Sequence, residues 1–118
     1  MNYQVKLTET AVNDLRDILF SVAELSGSRD VARRFMEELP ENVSSLSTFP
    51  ERGAVPHDRV LAAQEYRFLI HKEYLILYTV DKDATVVYVQ AILNGKRDYP
   101  KILRKTFRGG MGSMEKTL

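Results

Sequence analysis

An α+β domain with element order β-α-α-β-β-β is predicted by three features of the chain. Apolar residues recur at helical spacing through the first half, from Ala11 to Leu46. The period changes to two from Tyr66 to Leu93. Short turn segments, Lys72-Glu73 and Asp81-Lys82-Asp83, divide that second region, and turns this short force neighbouring strands to pair antiparallel. The expected architecture is an antiparallel sheet with a helical hairpin packed on one face and a short basic C-terminal segment.

Residues 3–7 alternate and read as the opening strand. Thr8 stands at an N-cap position with acidic Glu9 behind it, and Ala11, Leu15, Ile18, Leu19, Val22 and Leu25 form the apolar stripe of the first helix. Gly27 ends that helix, and Ser28 or Asp30 caps the next. Val31, Phe35, Leu39, Val43 and Leu46 make the second stripe, with Pro40 inside it, where a missing N–H predicts a kink or a break. Phe49-Pro50-Glu51-Arg52-Gly53 and Pro56 mark a loop. Residues 66–71, 74–80 and 85–93 are the three later strands, and Asn94-Gly95 reads as a turn requiring positive φ. Residues 100–108 form a short helical tail in this reading. Domain organisation is a single unit over 1–108, followed by a flexible glycine-rich tail over 109–118.

The chain has 118 residues, 44% hydrophobic and 28% charged, which suits one globular domain with a real core. It contains no cysteine, so disulfides, thiolate zinc sites and cysteine nucleophiles are excluded. Only His57 and His71 offer imidazole, which rules out a histidine-rich metal site. No cofactor and no metal are expected. No apolar run approaches the ~20 residues of a membrane helix, and no apolar stretch follows a basic start. The expectation is a cytoplasmic protein with no membrane partner.

Charge is unevenly distributed. Residues 1–59 carry seven basic and ten acidic side chains, or −3, and residues 60–118 carry ten basic and six acidic, or +4. The excess lies at the end, where Lys96, Arg97, Lys101, Arg104, Lys105 and Arg108 oppose only Asp98. Such a stretch either attracts an acidic partner or solvates a helix face. In the last strand Val87, Val89, Ala91 and Leu93 are expected to face the hairpin. Arg67, out of phase with Tyr66, Phe68 and Ile70, is expected on the uncovered face with Tyr88 and Gln90. Arg67 reads either as a charge-stabilising site residue or as an anchor of the sheet. Tyr74, Tyr78 and Tyr88 either stack on bases or pack within the sheet. His71, beside a turn, is expected to be exposed.

The same element order, carrying Phe49-Pro50-Glu51-Arg52-Gly53, Tyr66-Arg67, the 74–80 strand and Ile92-Leu93-Asn94-Gly95-Lys96-Arg97-Asp98-Tyr99, resembles the RelE/ParE toxin superfamily from about residue 3 to 103. The resemblance implies the toxin of a type II toxin–antitoxin (plasmid stabilisation) system. It implies a cognate antitoxin as partner, with operator DNA reached only through that antitoxin. RelE-like members cut messenger RNA on the ribosome, whereas ParE-like members poison DNA gyrase by binding it.

RNA cleavage by the neighbouring 2′-hydroxyl needs a base, an acid and cations around the phosphorane. In the nuclease branch, several basic residues and a late tyrosine or histidine do this work. By resemblance the retained cations are Arg67 and Arg97. The other basic positions fall at Leu69 and Leu75, the late tyrosine falls near Leu103 with Tyr99 close by, and Asn94 stands where many members carry histidine. Arginine stabilises charge but is a poor proton shuttle. The expectation is therefore a ParE-like gyrase inhibitor whose target or antitoxin surface includes Arg67, Tyr88, Gln90, Lys96, Arg97, Lys101, Arg104, Lys105 and Arg108. The alternatives are a RelE-like nuclease with Arg67, Arg97 and Tyr99 as catalytic residues, and a degraded toxin that retains only antitoxin and operator binding.

Overall fold

The computed structural model of the chain describes residues 2–27, 29–95 and 115–116. Strand β1 (Gln4–Thr8) runs directly into helix α1 (Glu9–Ser26), and Thr8 makes the junction. Its hydroxyl accepts from Ala11 N at 3.2 Å as the N-cap and donates to Gln90 O at 3.0 Å on the sheet. Gly27, with φ +60, closes α1 in the left-handed conformation. Helix α2 (Arg29–Ser44) follows with Asp30 in its first turn, while Ser28 lies outside the described residues. The predicted break at Pro40 does not occur: α2 continues through it to Ser44. Pro40 is on the exposed side of the helix. A single 3-10 turn, Ser45–Ser47, buries Leu46 and ends the hairpin.

A loop leads to the short helix α3 (Arg59–Ala63), N-capped by Asp58, whose carboxylate accepts from Leu61 N at 3.0 Å. Strands β2 (Arg67–His71), β3 (Tyr74–Asp81) and β4 (Val86–Asn94) then form the antiparallel meander that the alternation predicts. The sheet order is β2-β3-β4-β1-β5. One pair departs from the all-antiparallel expectation: β1 lies parallel to β4, with Leu7 opposite Val89. The intervening hairpin and meander supply the long crossover that a parallel pair requires. Inside the segment read as a flexible end, Glu115–Lys116 form a two-residue strand, β5, antiparallel to the outer edge of β1. The predicted helical tail over 100–108 lies outside the described residues.

A bulge divides β4. Leu77 pairs with Ala91 but Tyr78 pairs with Val89, leaving Gln90 as the extra residue. Before it, Val87 and Val89 face the hairpin as predicted. After it, the phase reverses: Ile92 joins the hairpin core, while Ala91 and Leu93 turn to the opposite face. Two cores result. The larger joins Ala11 of α1 and Phe35, Leu39 and Val43 of α2 to Leu7, Leu69, Ile76, Tyr78, Val87 and Val89. Val31, placed in the same stripe by its spacing, is exposed instead. The smaller core packs Leu61 and Tyr66 over Leu75, Leu77, Ala91 and Leu93. The face expected to be open is thus roofed at one end by the α3 segment.

Candidate functional site

A dense set of side-chain hydrogen bonds surrounds the loop at 49–54. Its backbone crosses the edge of β2, where Ala54 and Phe68 exchange hydrogen bonds of 3.0 and 2.9 Å. Gly53 passes against the phenol of Tyr78, whose oxygen accepts from Gly53 N at 2.9 Å. A Cβ at Gly53 would stand 2.5 Å from that oxygen, so only glycine fits. Tyr78 is fully buried, and burial pushes its phenol above the ordinary tyrosine range, with Gly53 N–H and the Arg67 and Arg52 charges opposing the shift. It is a neutral structural acceptor here and no base-stacking surface.

Arg67 is part of this fastening. Its Nη1 donates to Gly53 O at 2.9 Å and to Glu51 O at 3.2 Å. In β2 it stands opposite Tyr78, on the sheet side occupied by the hairpin, not with Tyr88 and Gln90 as its phase predicted. The phase reverses because the sheet carries two cores: Tyr66 and Phe68 pack in the smaller one on the far face, so Arg67 and Leu69 fall on the hairpin side, where Arg67 meets the loop. Of the two readings open for Arg67, the geometry supports the anchor.

Arg67 also lines a cleft of about 620 Å³, together with Val55, Tyr66 and the charged side chains Glu51, Glu65, Asp81, Asp83 and Lys82. Lys82 Nζ and Glu51 Oε1 are paired at 2.7 Å across its edge. That bond and the Lys82 charge hold the Glu51 carboxyl below the usual range, and Arg67 adds to the effect. Glu51 in turn raises Lys82. Four carboxylates against two cations make the cleft a poor cradle for a phosphodiester.

Tyr88 and Gln90 lie elsewhere. Tyr88 is half-buried opposite Thr79, and the Gln90 amide donates to Thr79 Oγ1 at 3.1 Å beside the bulge. The outer edge of β4 beyond β1 is completed by side chains: Thr8 takes Gln90 O, and Asp14 Oδ2 accepts from Ile92 N at 3.0 Å. Asp14, Asp17, Ile18, Tyr74 and Asn94 line a second groove there, of about 380 Å³. Gly95 does not need positive φ; its N–H donates to Glu73 O at 2.7 Å, and a Cβ would stand 3.3 Å from that oxygen. Arg97, Tyr99, Lys96, Lys101, Arg104, Lys105 and Arg108 lie outside the described residues, so Arg67 is the one expected nuclease residue with a described position. Leu69 and Leu75, which occupy the remaining basic positions of the nuclease pattern, are buried in the larger and smaller core respectively.

Sequence reading missed a further cluster. His71, expected to be exposed, is only 8% exposed. Its Nδ1 is 3.2 Å from Asn42 Nδ2, and the Asn42 oxygen accepts from Arg52 Nη2. Arg52 Nε also donates to Ser45 Oγ at 2.8 Å. Arg52 in the 49–53 motif is the one local signal, and a weak one, because an exposed guanidinium is equally well served by water. Among the described residues, no three His, Asp or Glu side chains are grouped to hold a metal ion, and no helix is long and apolar enough to cross a membrane.

The fold is similar to that of chains in two solved toxin–antitoxin systems. The RelBE2 toxin–antitoxin complex of Mycobacterium tuberculosis contains a chain matched with a TM-score of 0.58 and 24% identity, over 80% of this chain and 99% of that one. The chromosomal ParDE system of P. aeruginosa contains one with a TM-score of 0.63 and 20% identity, over 78% and 95%. At these identities the likeness establishes the fold. No curated protein matches the sequence. Residues 5–99 match the family profile described as the ParE toxin of the type II toxin–antitoxin system parDE, and the chain belongs to that family.

Proposed function

We propose that this chain is a toxin that inhibits DNA gyrase by protein binding, without cleaving RNA, and that a cognate antitoxin neutralises it. Membership in the ParE family and the toxin–antitoxin complexes formed by both solved relatives support the reading. The observation that carries it is the state of Arg67. Its guanidinium is bonded to two loop carbonyls, and it borders a cleft dominated by carboxylates. Leu69 and Leu75 fill core positions where a cation could not be accommodated without an unpaired buried charge. Stabilising a phosphorane needs converging cations and a proton shuttle, and the cleft offers only Arg67, bonded to the loop carbonyls, and Lys82, paired with Glu51, among four carboxylates. The basic residues between 96 and 108 are the proposed contact with target or antitoxin.

The reading is tested with purified protein. Added to gyrase and relaxed plasmid, the chain should block supercoiling and leave messenger RNA intact in a translating extract. Unchanged supercoiling with codon-position cleavage of the RNA would overturn it in favour of the ribosome-dependent nuclease. Loss of both activities with antitoxin and operator binding retained would identify a degraded toxin.

A further inference from the structure

His71 ends β2 on the hairpin side of the sheet, opposite Tyr74. Phe35 of α2 meets its ring edge-on, with centroids 5.3 Å apart and planes at 75°. The hydrogen-bond chain running into it fixes its protonation state. A guanidinium only donates, so Arg52 Nη2 must meet the oxygen of Asn42. The Asn42 amide group is then the donor towards His71, and Nδ1 must accept. The single ring proton of neutral His71 therefore sits on Nε2, an atom buried without a hydrogen-bond partner among the described residues. A second proton has only Nδ1 to occupy. There it would point at the amide hydrogens of Asn42, donor against donor, and leave a cation shielded from water.

The charged and titratable groups around the ring reinforce this. Lys72, from the β2–β3 turn, repels an imidazolium, while Glu38 of α2 attracts one but is paired with Lys72 at 3.2 Å. Tyr74 of β3 is a neutral phenol held above its ordinary range by burial. Arg52, from the loop, adds a second cation behind Asn42. Burial, with Lys72 second, holds His71 below the ordinary imidazole range.

We propose that His71 is a protonation-sensitive latch. Neutral, it accepts from Asn42 and joins the end of α2 and the 49–53 loop to the end of β2. Protonated, it drops Asn42, and the Arg52 link to the loop loosens with it. The loop presents Phe49 (65% exposed) to solvent, leads into exposed Val55 and lends Glu51 to the cleft, so acidification reshapes this corner of the surface. The latch works whatever the toxin's target is.

Long-range ¹⁵N-correlated NMR of the imidazoles tests it directly, with a His57→Gln variant assigning the signals. At about pH 8, His71 should show the Nε2–H tautomer, and its titration midpoint should fall below the unfolded value of about 6.5. The folded midpoint being lowered, stability is complete above about pH 6.5 and is lost as pH falls towards that midpoint. The unfolding constant should rise about tenfold for each unit of depression. His71→Asn keeps an acceptor near Nδ1 but cannot titrate, so this increment should vanish, together with the acid-induced fall in amide protection at Gly53 and Ala54. An Nδ1–H tautomer, a midpoint at or above about 6.5, or the same acid loss in His71→Asn would overturn the proposal. If the variant does not fold, the tautomer and midpoint of the unmodified chain decide alone.

Discussion

At Gly53 three elements converge within van der Waals distance. A Cβ there would meet the Tyr78 oxygen at 2.5 Å, Phe68 O at 2.8 Å and Tyr78 Cε1 at 2.9 Å, and Tyr78 is fully buried with nowhere to retreat. Gly53→Ala should lower stability by about 2 kcal/mol or more through overpacking, read as a lower urea midpoint. No change would mean that the loop is not fastened as described. Arg67→Ala removes two partly exposed hydrogen bonds to the same loop, so about 1 kcal/mol should be lost. Growth inhibition should persist at a temperature where the variant stays folded. Loss of inhibition without loss of stability would make Arg67 a functional contact. The sequence reveals that Arg67 and Gly53 are special but not that they bind each other, because they are separated by 14 residues and joined only by tertiary folding. The burial of His71 is hidden from the sequence for the same reason. Its chain neighbours form a turn, and its burial comes from Phe35 and Asn42 on a distant helix.

At the scale of elements, local chemistry predicts well and long-range pairing does not. The Thr8 cap, the Gly27 stop and the two turns of the meander were readable because each depends on residues a few positions apart. The parallel partnership of β1 with β4 was not, since nothing in either strand encodes the direction of its neighbour. The Gln90 bulge shifts the alternation by one, which is why Ala91 and Leu93 face opposite to expectation. Thr8→Ala should therefore do more than remove a cap. It also strips Gln90 O of its donor at a buried junction, for a combined loss of about 2 kcal/mol by thermal or urea unfolding. Pro40 offers a test with the opposite sign. It occupies the exposed interior of an uninterrupted α2, so Pro40→Ala should stabilise the chain by about 1 kcal/mol or more once the helix regains a donor, after allowing for the looser unfolded state. A lower melting temperature would show that the helix is adapted to the proline.

For the whole molecule, the residue pattern resembled the RelE/ParE superfamily, and the family match over 5–99 establishes the ParE toxin family. The part that would choose a target was less legible. Most of the expected contact residues fall between 96 and 108, outside the described residues, and Arg67 turned out to be committed to the loop. Removing residues 101–118 should relieve toxicity while near-native circular dichroism persists, at the loss of the short β5 pairing. Full toxicity, or an unfolded chain, would contradict a contact role for that segment. A toxin that stops growth by binding gyrase is recognised by which synthesis fails first, read by pulse-labelling DNA and protein side by side after the toxin alone is induced in cells. DNA synthesis should stop first, with gyrase-linked breaks in the chromosome. Translation stopping first, with DNA synthesis continuing, would contradict it.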